Sequence, residues 1–160
     1  MAMTPFTAPR RLTEGDDVTG FDCGLPLVND WLTRHLRDSF RRHTAVAYAT
    51  FEHGTLAGFY TLSSFSIDHA EASGWLRRNS PDPIPVILLG MLGVDVRYQT
   101  MHVGSQLLRD AVLRSLSAAE IIGARALVVE PANERAAGFY ERYGFRRIGD
   151  TQRMFTPLNM

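Results

Sequence analysis

The chain after Pro26 has apolar residues at helical spacing, which predicts one amphipathic helix from about Val28 to Arg42. The face expected to point inward consists of Val28, Leu32, His35, Leu36 and Phe40. The opposite face is basic and consists of Arg34, Arg37, Arg41 and Arg42, with Asp38 among them.

Strand-like segments follow this helix. Ala45 to Phe51 and Leu56 to Ile67 are predicted strands, and Glu52-His53-Gly54 between them is typical of a tight hairpin turn. A short helix is expected from Glu71 to Arg78. Val86 to Val94 is an almost unbroken apolar run, typical of a strand buried on both faces. Its two glycines, Gly90 and Gly93, mark a bulge or a place where a ligand approaches the backbone.

Helices and strands alternate in the remainder of the chain. Asn133 is expected to cap the helix that follows it, and Gly144 to end the same helix. A hairpin followed by alternating elements predicts a mixed α/β fold with a twisted sheet. The predicted elements are a helix from Val103 to Ser117, a strand from Ala126 to Glu130, a helix from Glu134 to Arg142, and strands from Phe145 to Ile148 and Arg153 to Thr156.

Composition is that of an ordinary globular domain. The chain has 160 residues and is 45% hydrophobic, which suits one domain spanning residues 1–160. No apolar run approaches the ~18 residues that cross a bilayer, and the first residues lack an apolar signal-peptide core. Cys23 has no cysteine partner and no accompanying histidine, so we expect buried packing rather than a nucleophile. These features predict a cytoplasmic protein without a membrane partner.

The type of the charged residues is more informative than their net charge. Basic and acidic residues both number 17, and every basic residue is arginine, whose planar guanidinium suits phosphate. Arg34, Arg37 and Arg41 recur at a spacing that aligns them on one helix face. The candidates to join them in space are Arg77, Arg78, Arg142, Arg146 and Arg147. Two interpretations stay open: a solvated helix face, or a surface that contacts the phosphates of an RNA.

A short loop joins the buried strand to the next helix in the segment from Leu92 to Leu108, and Gly104 lies near the start of that helix. Free amides at a helix N-terminus, together with the helix dipole, attract an anion such as a phosphate. Many strand–helix turns have a glycine and bind nothing, so this junction alone identifies no ligand.

Two later segments favour a specific interpretation of this junction. The loop has Gln99 and Gly104 at the first and last positions of a Q-x-x-G-x-G/A pattern, Asn133 to Tyr140 reads N-x-x-A-x-x-F-Y, and Tyr143 to Phe145 reads x-G-F. In this order the motifs resemble those of the GNAT acetyltransferases. His102 stands where the family usually has glycine, and its imidazole either points outward without a role or approaches a phosphate.

The resemblance extends to one branch of that family, the acetyltransferase toxins of toxin–antitoxin pairs (TacT-like toxins), over about Phe21 to Phe155. Within the core strand, Met91 replaces the usual arginine of the branch and Gly93 its usual alanine. The segments that carry the resemblance are Phe21-Asp-Cys-Gly24, Ala57-Gly-Phe-Tyr-Thr-Leu-Ser63 and the core strand from Ile84 to Asp95.

The resemblance implies a GNAT acyl-CoA N-acyltransferase fold, in which a central twisted mixed sheet is flanked by helices and two splayed parallel strands hold acetyl-CoA. It implies Tyr140 as general acid and no metal, and the five histidines show no paired ligand spacing. The residues that it assigns to acetyl-CoA are Leu92, Gly93, Val94, Gln99, Thr100, Met101, His102, Val103, Gly104, Ser105, Asn133 and Phe139.

These residue types suit acetyl transfer to an amine. Amides of the core strand can hold a thioester oxygen as charge builds on it, and a phenol with a pKa of ~10 can protonate a thiolate with a pKa of ~8.5. Glu130 and Asp95 are the nearest candidates for a general base, although each has a structural alternative. An α-amino group, with a pKa of ~7.7–8.0, needs less help to lose its proton than a lysine side chain.

In the toxin branch the acceptor is the α-amino group of an aminoacyl-tRNA, and its acetylation blocks translation. The resemblance therefore implies such a toxin, with an aminoacyl-tRNA substrate, a ribbon-helix-helix antitoxin and a homodimer. Two alternatives stay open. One is a GNAT enzyme for a small-molecule amine or a protein N-terminus, and the other is a non-enzymatic module that binds the antitoxin.

Overall fold

The computed structural model describes residues 5–159. Single turns of 3-10 helix lie at His69–Glu71 and Val96–Tyr98. No helix in the described range combines the length and the apolar character needed to cross a membrane. The strands are β1 (Arg10–Arg11), β2 (Val46–Glu52), β3 (Thr55–Ile67), β4 (Ile84–Val94), β5 (Ala126–Val129), β6 (Arg146–Arg147) and β7 (Met154–Pro157). The helices are α1 (Pro26–Arg34), α2 (Leu36–Arg42), α3 (Gly74–Arg77), α4 (Val103–Ile122) and α5 (Glu134–Arg142).

The strands of residues 5–159 form one seven-stranded sheet in the order β1-β2-β3-β4-β5-β7-β6. β4 and β5 run parallel, whereas β1–β2, β2–β3, β5–β7 and β6–β7 are antiparallel pairs. The sheet is therefore mixed, and the predicted α/β fold class is confirmed. The described residues divide into two compact units, one of residues 5–63 and 91–111 and the other of residues 64–90 and 112–159.

The first unit contains the predicted hairpin. β2 and β3 pair from Val46↔Leu62 to Glu52↔Thr55. His53 and Gly54 in the turn both have positive φ, 47° and 81°, as the commonest two-residue hairpin turn requires. The hairpin prediction is thus confirmed. β1, which pairs with β2, was not predicted because so short a strand leaves no periodic pattern.

The predicted single helix from Val28 to Arg42 is wrong, because α1 and α2 are separated at His35, where φ is −120°. His35 is exposed rather than inward-facing. Trp31, which the predicted inward face omitted, is buried, and its ring stacks on Phe59 with the ring centroids 5.9 Å apart. Because the apolar spacing on both sides of the break is helical, the sequence contained no signal for a kink at one residue.

Helix α4 packs directly on β3 in the first unit. A Cβ atom at Gly58 would lie 2.9 Å from Leu107 Cδ1 and 3.2 Å from Val103 Cγ1. Such distances are shorter than carbon–carbon van der Waals contacts, so only glycine allows this approach. The contact fixes the first turns of α4 relative to the sheet. The core of the unit is a cluster of Leu12, Cys23, Val28, Trp31, Leu32, Leu36, Ala47, Ala49, Phe51, Leu56 and Phe59.

The second unit contains the parallel strand pair and α5. β4 and β5 pair from Ile87↔Leu127 to Leu89↔Val129. Helix α5 has the predicted bounds, because both of its ends carry a local signal. The Asn133 side chain accepts a 2.8 Å hydrogen bond from the Ala136 amide at the N-terminus, and Gly144 follows the C-terminus with φ of 90°. The core of this unit is Ile67, Ala72, Leu76, Ile84, Val86, Ala126, Val128, Ile148 and Phe155.

Candidate active site

The Phe21–Gly24 motif is a tight turn held by α1. The Asp22 carboxylate accepts hydrogen bonds from the Gly24 amide (2.8 Å) and from the Asn29 side-chain amide (2.9 Å). The Cys23 amide donates to the Asn29 side-chain oxygen at 3.0 Å. Gly24 has φ of 87°, a left-handed conformation that glycine adopts without strain. Asn29 was not singled out from the sequence, because only the folded turn brings it to Asp22.

The same turn is attached to the end of β4 through Asp95. This buried carboxylate, 1% exposed, accepts from the Asp22 amide at 3.2 Å, from the Arg97 amide at 3.0 Å and from the Arg97 guanidinium at 2.9 and 3.1 Å. Burial favours a higher pKa for Asp95, but the hydrogen bonds from Arg97 and Asp22 outweigh it, so the pKa is lowered. Asp95 is therefore a charged loop cap, which is the structural alternative to a general base.

Glu130, the other candidate base, is ion-paired. Its carboxylate accepts a 2.8 Å hydrogen bond from Arg153 Nε, and the same guanidinium contacts Glu71 at 2.8 Å. The contact with Arg153 gives this carboxylate a structural role. The structure thus gives both candidate bases structural contacts.

Gln99, assigned to the co-substrate by resemblance, uses its side chain within the protein. Its Nε2 atom donates to the main-chain carbonyls of Cys23 and Val94, both at 2.9 Å. The side chain thereby ties the loop to the N-terminal turn and to the end of β4. The Nε2 atom of Gln99 is therefore engaged within the protein.

The loop before α4 has the backbone conformation that glycine favours. His102 has φ of 62°, and its side chain is exposed. Its carbonyl accepts from the Gln106 amide (3.3 Å) and from the Ser105 hydroxyl (3.0 Å). Because the Gln106 bond is the first of the helix in the described chain, the amides of Val103, Gly104 and Ser105 precede it and are free for an anion. Thr100 and Met101 lie exposed in the same loop.

Gly93 is required by packing. A Cβ atom at this position would lie 2.8 Å from Val28 Cγ1 and 3.2 Å from Cys23 Sγ. The sequence offered a bulge or the approach of a ligand as explanations, and the structure instead shows side chains of the N-terminal segment against this glycine. Leu92 and Val94, on either side, lie beyond Leu89, the last β4 residue paired with β5.

Tyr140 is buried in the second unit. It is 7% exposed, and its ring contacts Phe139 and Phe145 with centroid distances of 5.4 Å to each. Burial raises the pKa of the Tyr140 phenol above its ordinary value of 10.0, so the hydroxyl is protonated at neutral pH. Tyr143 is 51% exposed, although its ring contacts Phe139 with the centroids 5.2 Å apart. The Asn133 side chain is engaged in capping α5.

The arginines assigned to RNA are exposed and, within residues 5–159, form no ion pair. Arg34 ends α1, whereas Arg37 and Arg41 lie on α2. In the second unit, Arg77 and Arg78 line a shallow cavity of about 360 Å³ together with His69 and Gly74.

Within the described chain, no group of three His, Cys, Asp or Glu side chains is arranged to hold a metal ion.

These features point to a class of enzyme. In the first unit, a strand end with amides outside the ladder and a helix that begins with free amides suit the binding of a nucleotide thioester. In the second unit, a buried protonated phenol is a group that acyltransferases use as a proton donor.

Comparison with known proteins identifies the family within this class of enzyme. Residues 41–147 match the acetyltransferase (GNAT) domain family. The chain is 42% identical over 143 residues to the tRNA-acetylating toxin of Mycobacterium tuberculosis, covering 89% of this chain and 86% of that protein. Among solved structures, AtaT complexed with acetyl-methionyl-tRNAfMet is 30% identical with a TM-score of 0.85, over 95% of this chain and 94% of that one.

A second solved structure is a tyrosine-to-phenylalanine mutant of AtaT bound to acetyl-CoA and to the C-terminus of the antitoxin AtaR. It is 29% identical with a TM-score of 0.79, over 96% of this chain and 93% of that chain. The chain belongs to the GNAT acetyltransferase family. The predicted enzyme class, an N-acetyltransferase, is therefore confirmed.

Proposed function

We propose that this chain is a toxin that transfers the acetyl group of acetyl-CoA to the α-amino group of an aminoacyl-tRNA and so blocks translation. The observation that carries the proposal is the similarity to a tRNA-acetylating toxin over 89% of the chain. A solved relative complexed with an acetylated aminoacyl-tRNA supports the same substrate class.

Acetyl-CoA, which supplies the activated acetyl group when bound, fits the residues of the first unit. The free amides of Val103, Gly104 and Ser105 suit its pyrophosphate. The loop residues Thr100, Met101 and His102 would contribute main-chain contacts, while Gln99 holds the loop in place. Leu92 and Val94 have amides suited to the acyl arm. The proposed contacts of Asn133 and Phe139 rest on the resemblance.

Tyr140 is the proposed general acid. Its buried hydroxyl keeps its proton at neutral pH, and a phenol is a suitable donor to a departing thiolate. Phe139 and Phe145 pack against the ring and restrict its orientation. Because Asp95 and Glu130 are engaged by arginines, the chain offers neither as a base. A substrate amine with a pKa near ~7.7–8.0 suits this arrangement, since part of it is neutral without help.

Arg34, Arg37 and Arg41, together with Arg77 and Arg78, are the proposed contacts to tRNA phosphates. Their guanidinium groups are exposed and are not neutralised by carboxylates in the described chain, so they stay available to an anion. The cavity beside Arg77 and Arg78 gives those two side chains room for a phosphate.

An antitoxin partner is supported by the solved toxin–antitoxin relative. We propose that the antitoxin is a ribbon-helix-helix protein and that the enzyme is a homodimer. A substrate of aminoacyl-tRNA implies action in the cytoplasm.

Incubation of charged tRNA with the protein and labelled acetyl-CoA tests the function. Tyr140→Phe should slow formation of N-acetyl-aminoacyl-tRNA roughly 10²–10⁴-fold, because the leaving thiolate loses its proton donor. Acetyl-CoA affinity should change less than about twofold, since the hydroxyl acts only in the transition state. Tyr143→Phe, an exposed neighbour on the same segment, is the matched control and should retain activity.

Normal kcat in Tyr140→Phe would remove this residue from the mechanism. If the wild-type protein acetylates no charged tRNA but does acetylate a small amine or a peptide N-terminus, the toxin function is wrong and the alternative GNAT function holds. Charge reversal of Arg34, Arg37 and Arg41 should abolish activity on charged tRNA and spare acetyl-CoA binding. Charge reversal of Arg135, an exposed arginine on α5, is the control.

A further inference from the structure

Strand β4 is attached to β3 by two different kinds of hydrogen bond. At one end, the Asp95 amide donates to the main-chain carbonyl of Ala57 at 2.8 Å. At the other end, the Met91 amide donates at 2.9 Å to the side-chain hydroxyl of Thr61. The segments Ala57–Thr61 and Met91–Asp95 are equally long, so the register contains no inserted residue. The side-chain hydroxyl of Thr61 thus accepts from the Met91 amide, an acceptor that a ladder of main-chain groups alone does not use.

The Thr61 side chain is well suited to fix the path of β4. It is 3% exposed, and its β-branched side chain has few allowed rotamers in a strand. Because the acceptor is a side-chain atom, the position of the Met91 amide follows the rotamer of Thr61. The opposite end of the segment is equally fixed, since the Val94 carbonyl accepts from Gln99 and the Asp95 carboxylate is held by Arg97.

The residues between these anchors carry the amides that matter for acyl transfer. Successive amides of a strand point to opposite edges. Since the amides of Met91 and Asp95 point toward β3, those of Leu92 and Val94 point to the other edge of β4. The β4–β5 pairs end at Leu89↔Val129, so the ladder does not use these two amides. Because Met91 and Leu92 are adjacent, a small shift of the Met91 amide would change the direction in which the Leu92 amide points.

We propose that Thr61 is a positioning residue for acetyl transfer, whose hydroxyl holds Met91 so that the Leu92 and Val94 amides face the thioester carbonyl. The inference rests on the proposed function of β4 in binding acetyl-CoA. In this inference the buried Thr61 acts through Met91 rather than directly on a substrate. Without the hydroxyl, the Met91 amide loses this side-chain acceptor, so the strand shifts locally while the rest of the sheet stays folded.

Thr61→Val removes the acceptor at constant shape, and Thr61→Ser retains it. Thr61→Val should lower kcat roughly 10–100-fold, as expected for misplaced groups at the reacting centre. Its KM for acetyl-CoA should stay within about threefold, because the loop before α4 is unchanged. Thr61→Ser should stay within about threefold of wild type in both parameters. A purely structural role would not separate kcat from KM in this way. Thermal unfolding of both variants verifies the fold.

A measurement made without any amine substrate separates this inference from the toxin function. Acetyl-CoA should perturb the amide NMR signals of Leu92 and Val94 in wild type and Thr61→Ser, and should perturb them differently in Thr61→Val. Identical perturbations in all three proteins would overturn the inference, as would a Thr61→Ser variant as slow as Thr61→Val. Failure of the wild type to acetylate charged tRNA would reject the proposed substrate, while the NMR comparison would still decide the role of Thr61.

Discussion

The main-chain amide of Asp22 donates a hydrogen bond to the carboxylate of Asp95, and the Asp22 carbonyl accepts one from the Val96 amide. The N-terminal turn and the end of β4 are therefore one hydrogen-bonded structure. Gln99 extends it by donating to Cys23 and Val94. The loop proposed to bind acetyl-CoA is thus held from the N-terminal segment, which explains why both sequence motifs occur in the same chain.

Asp95→Asn should lower the free energy of unfolding at pH 7 by about 1–3 kcal/mol, because this buried group loses its charge and with it the charge-assisted hydrogen bonds from Arg97 and the Asp22 amide. The effect should depend on pH. The pKa of Asp95 is lowered by folding from 3.8, so its contribution is present above that value and is lost as the pH falls through the folded pKa. Denaturant titrations between pH 2 and 7 should therefore show a shallower acid limb for Asp95→Asn.

Asp150→Asn, a change at an exposed aspartate, is the control for this titration. It should leave the wild-type acid limb in place. An acid limb equally steep in wild type and Asp95→Asn would mean that Asp95 does not stabilise the fold through its charge.

Ser115→Ala should stabilise the protein. Ser115 lies in α4, and its buried hydroxyl has no hydrogen-bond partner in the described structure. Replacing an unsatisfied buried hydroxyl removes its desolvation cost, and alanine is also the better helix former. We expect a gain of about 1 kcal/mol in the free energy of unfolding. Ser117→Ala, an exposed position on the same helix, should gain only the propensity difference of a few tenths. A loss of stability in Ser115→Ala would contradict the conclusion that the Ser115 hydroxyl is unsatisfied.

His102→Gly decides between the two interpretations of this histidine. The left-handed conformation costs a non-glycine residue about 1 kcal/mol or more, whereas glycine costs about 0.5–1 kcal/mol through the unfolded chain. The free energy of unfolding should therefore stay level or rise by up to about 1 kcal/mol. Because the imidazole is exposed, acetyl-CoA affinity should change less than about threefold, as measured by calorimetry.

His53→Gly is the matched control, since His53 also has positive φ, 47°, and lies in the hairpin turn. Both variants should change stability similarly. A tenfold loss of affinity confined to His102→Gly would instead assign the imidazole to a phosphate.

The sequence was sufficient to predict elements whose ends carry a local signal. Asn133 and Gly144 mark the two ends of α5, and its predicted bounds agree with the structure. The kink at His35 was missed because helical spacing continues across it. The sequence also could not show which atoms pack against Gly93 and leave no room for a side chain there. The contacts of Val28 and Cys23 with this glycine depend on the packing of a segment distant in the chain.

The candidate site was predictable only in part, for the same reason. The resemblance assigned the loop from Gln99 to Ser105 and the tyrosine to the candidate site, because those motifs are contiguous. The hydrogen bonds that hold the loop join Gln99 to Cys23 and Asp22 to Asp95, residues that are far apart in sequence. The role of the Thr61 hydroxyl depends on strand pairing, so no local pattern indicates it.

The pH dependence of the rate tests the charge state of Tyr140. Transfer requires a neutral α-amine and a protonated phenol. Below the amine pKa of ~7.7–8.0 the rate should fall about tenfold per pH unit, because the protonated amine cannot attack. Since burial raises the pKa of Tyr140 above 10.0, the phenol stays protonated across the accessible range. The rate should therefore rise to a plateau without a basic limb below pH 10.

Single-turnover rates from pH 6 to 9.5, corrected for spontaneous hydrolysis of the aminoacyl ester, measure this profile. Tyr140→Phe should keep the acid limb, which belongs to the substrate amine, while its plateau is lowered throughout. A wild-type rate that declines between pH 8 and 9.5, with the decline absent from Tyr140→Phe, would show that the phenol ionises in that interval. Burial would then not hold the proton, and the donor role of Tyr140 would be restricted to neutral and acidic pH.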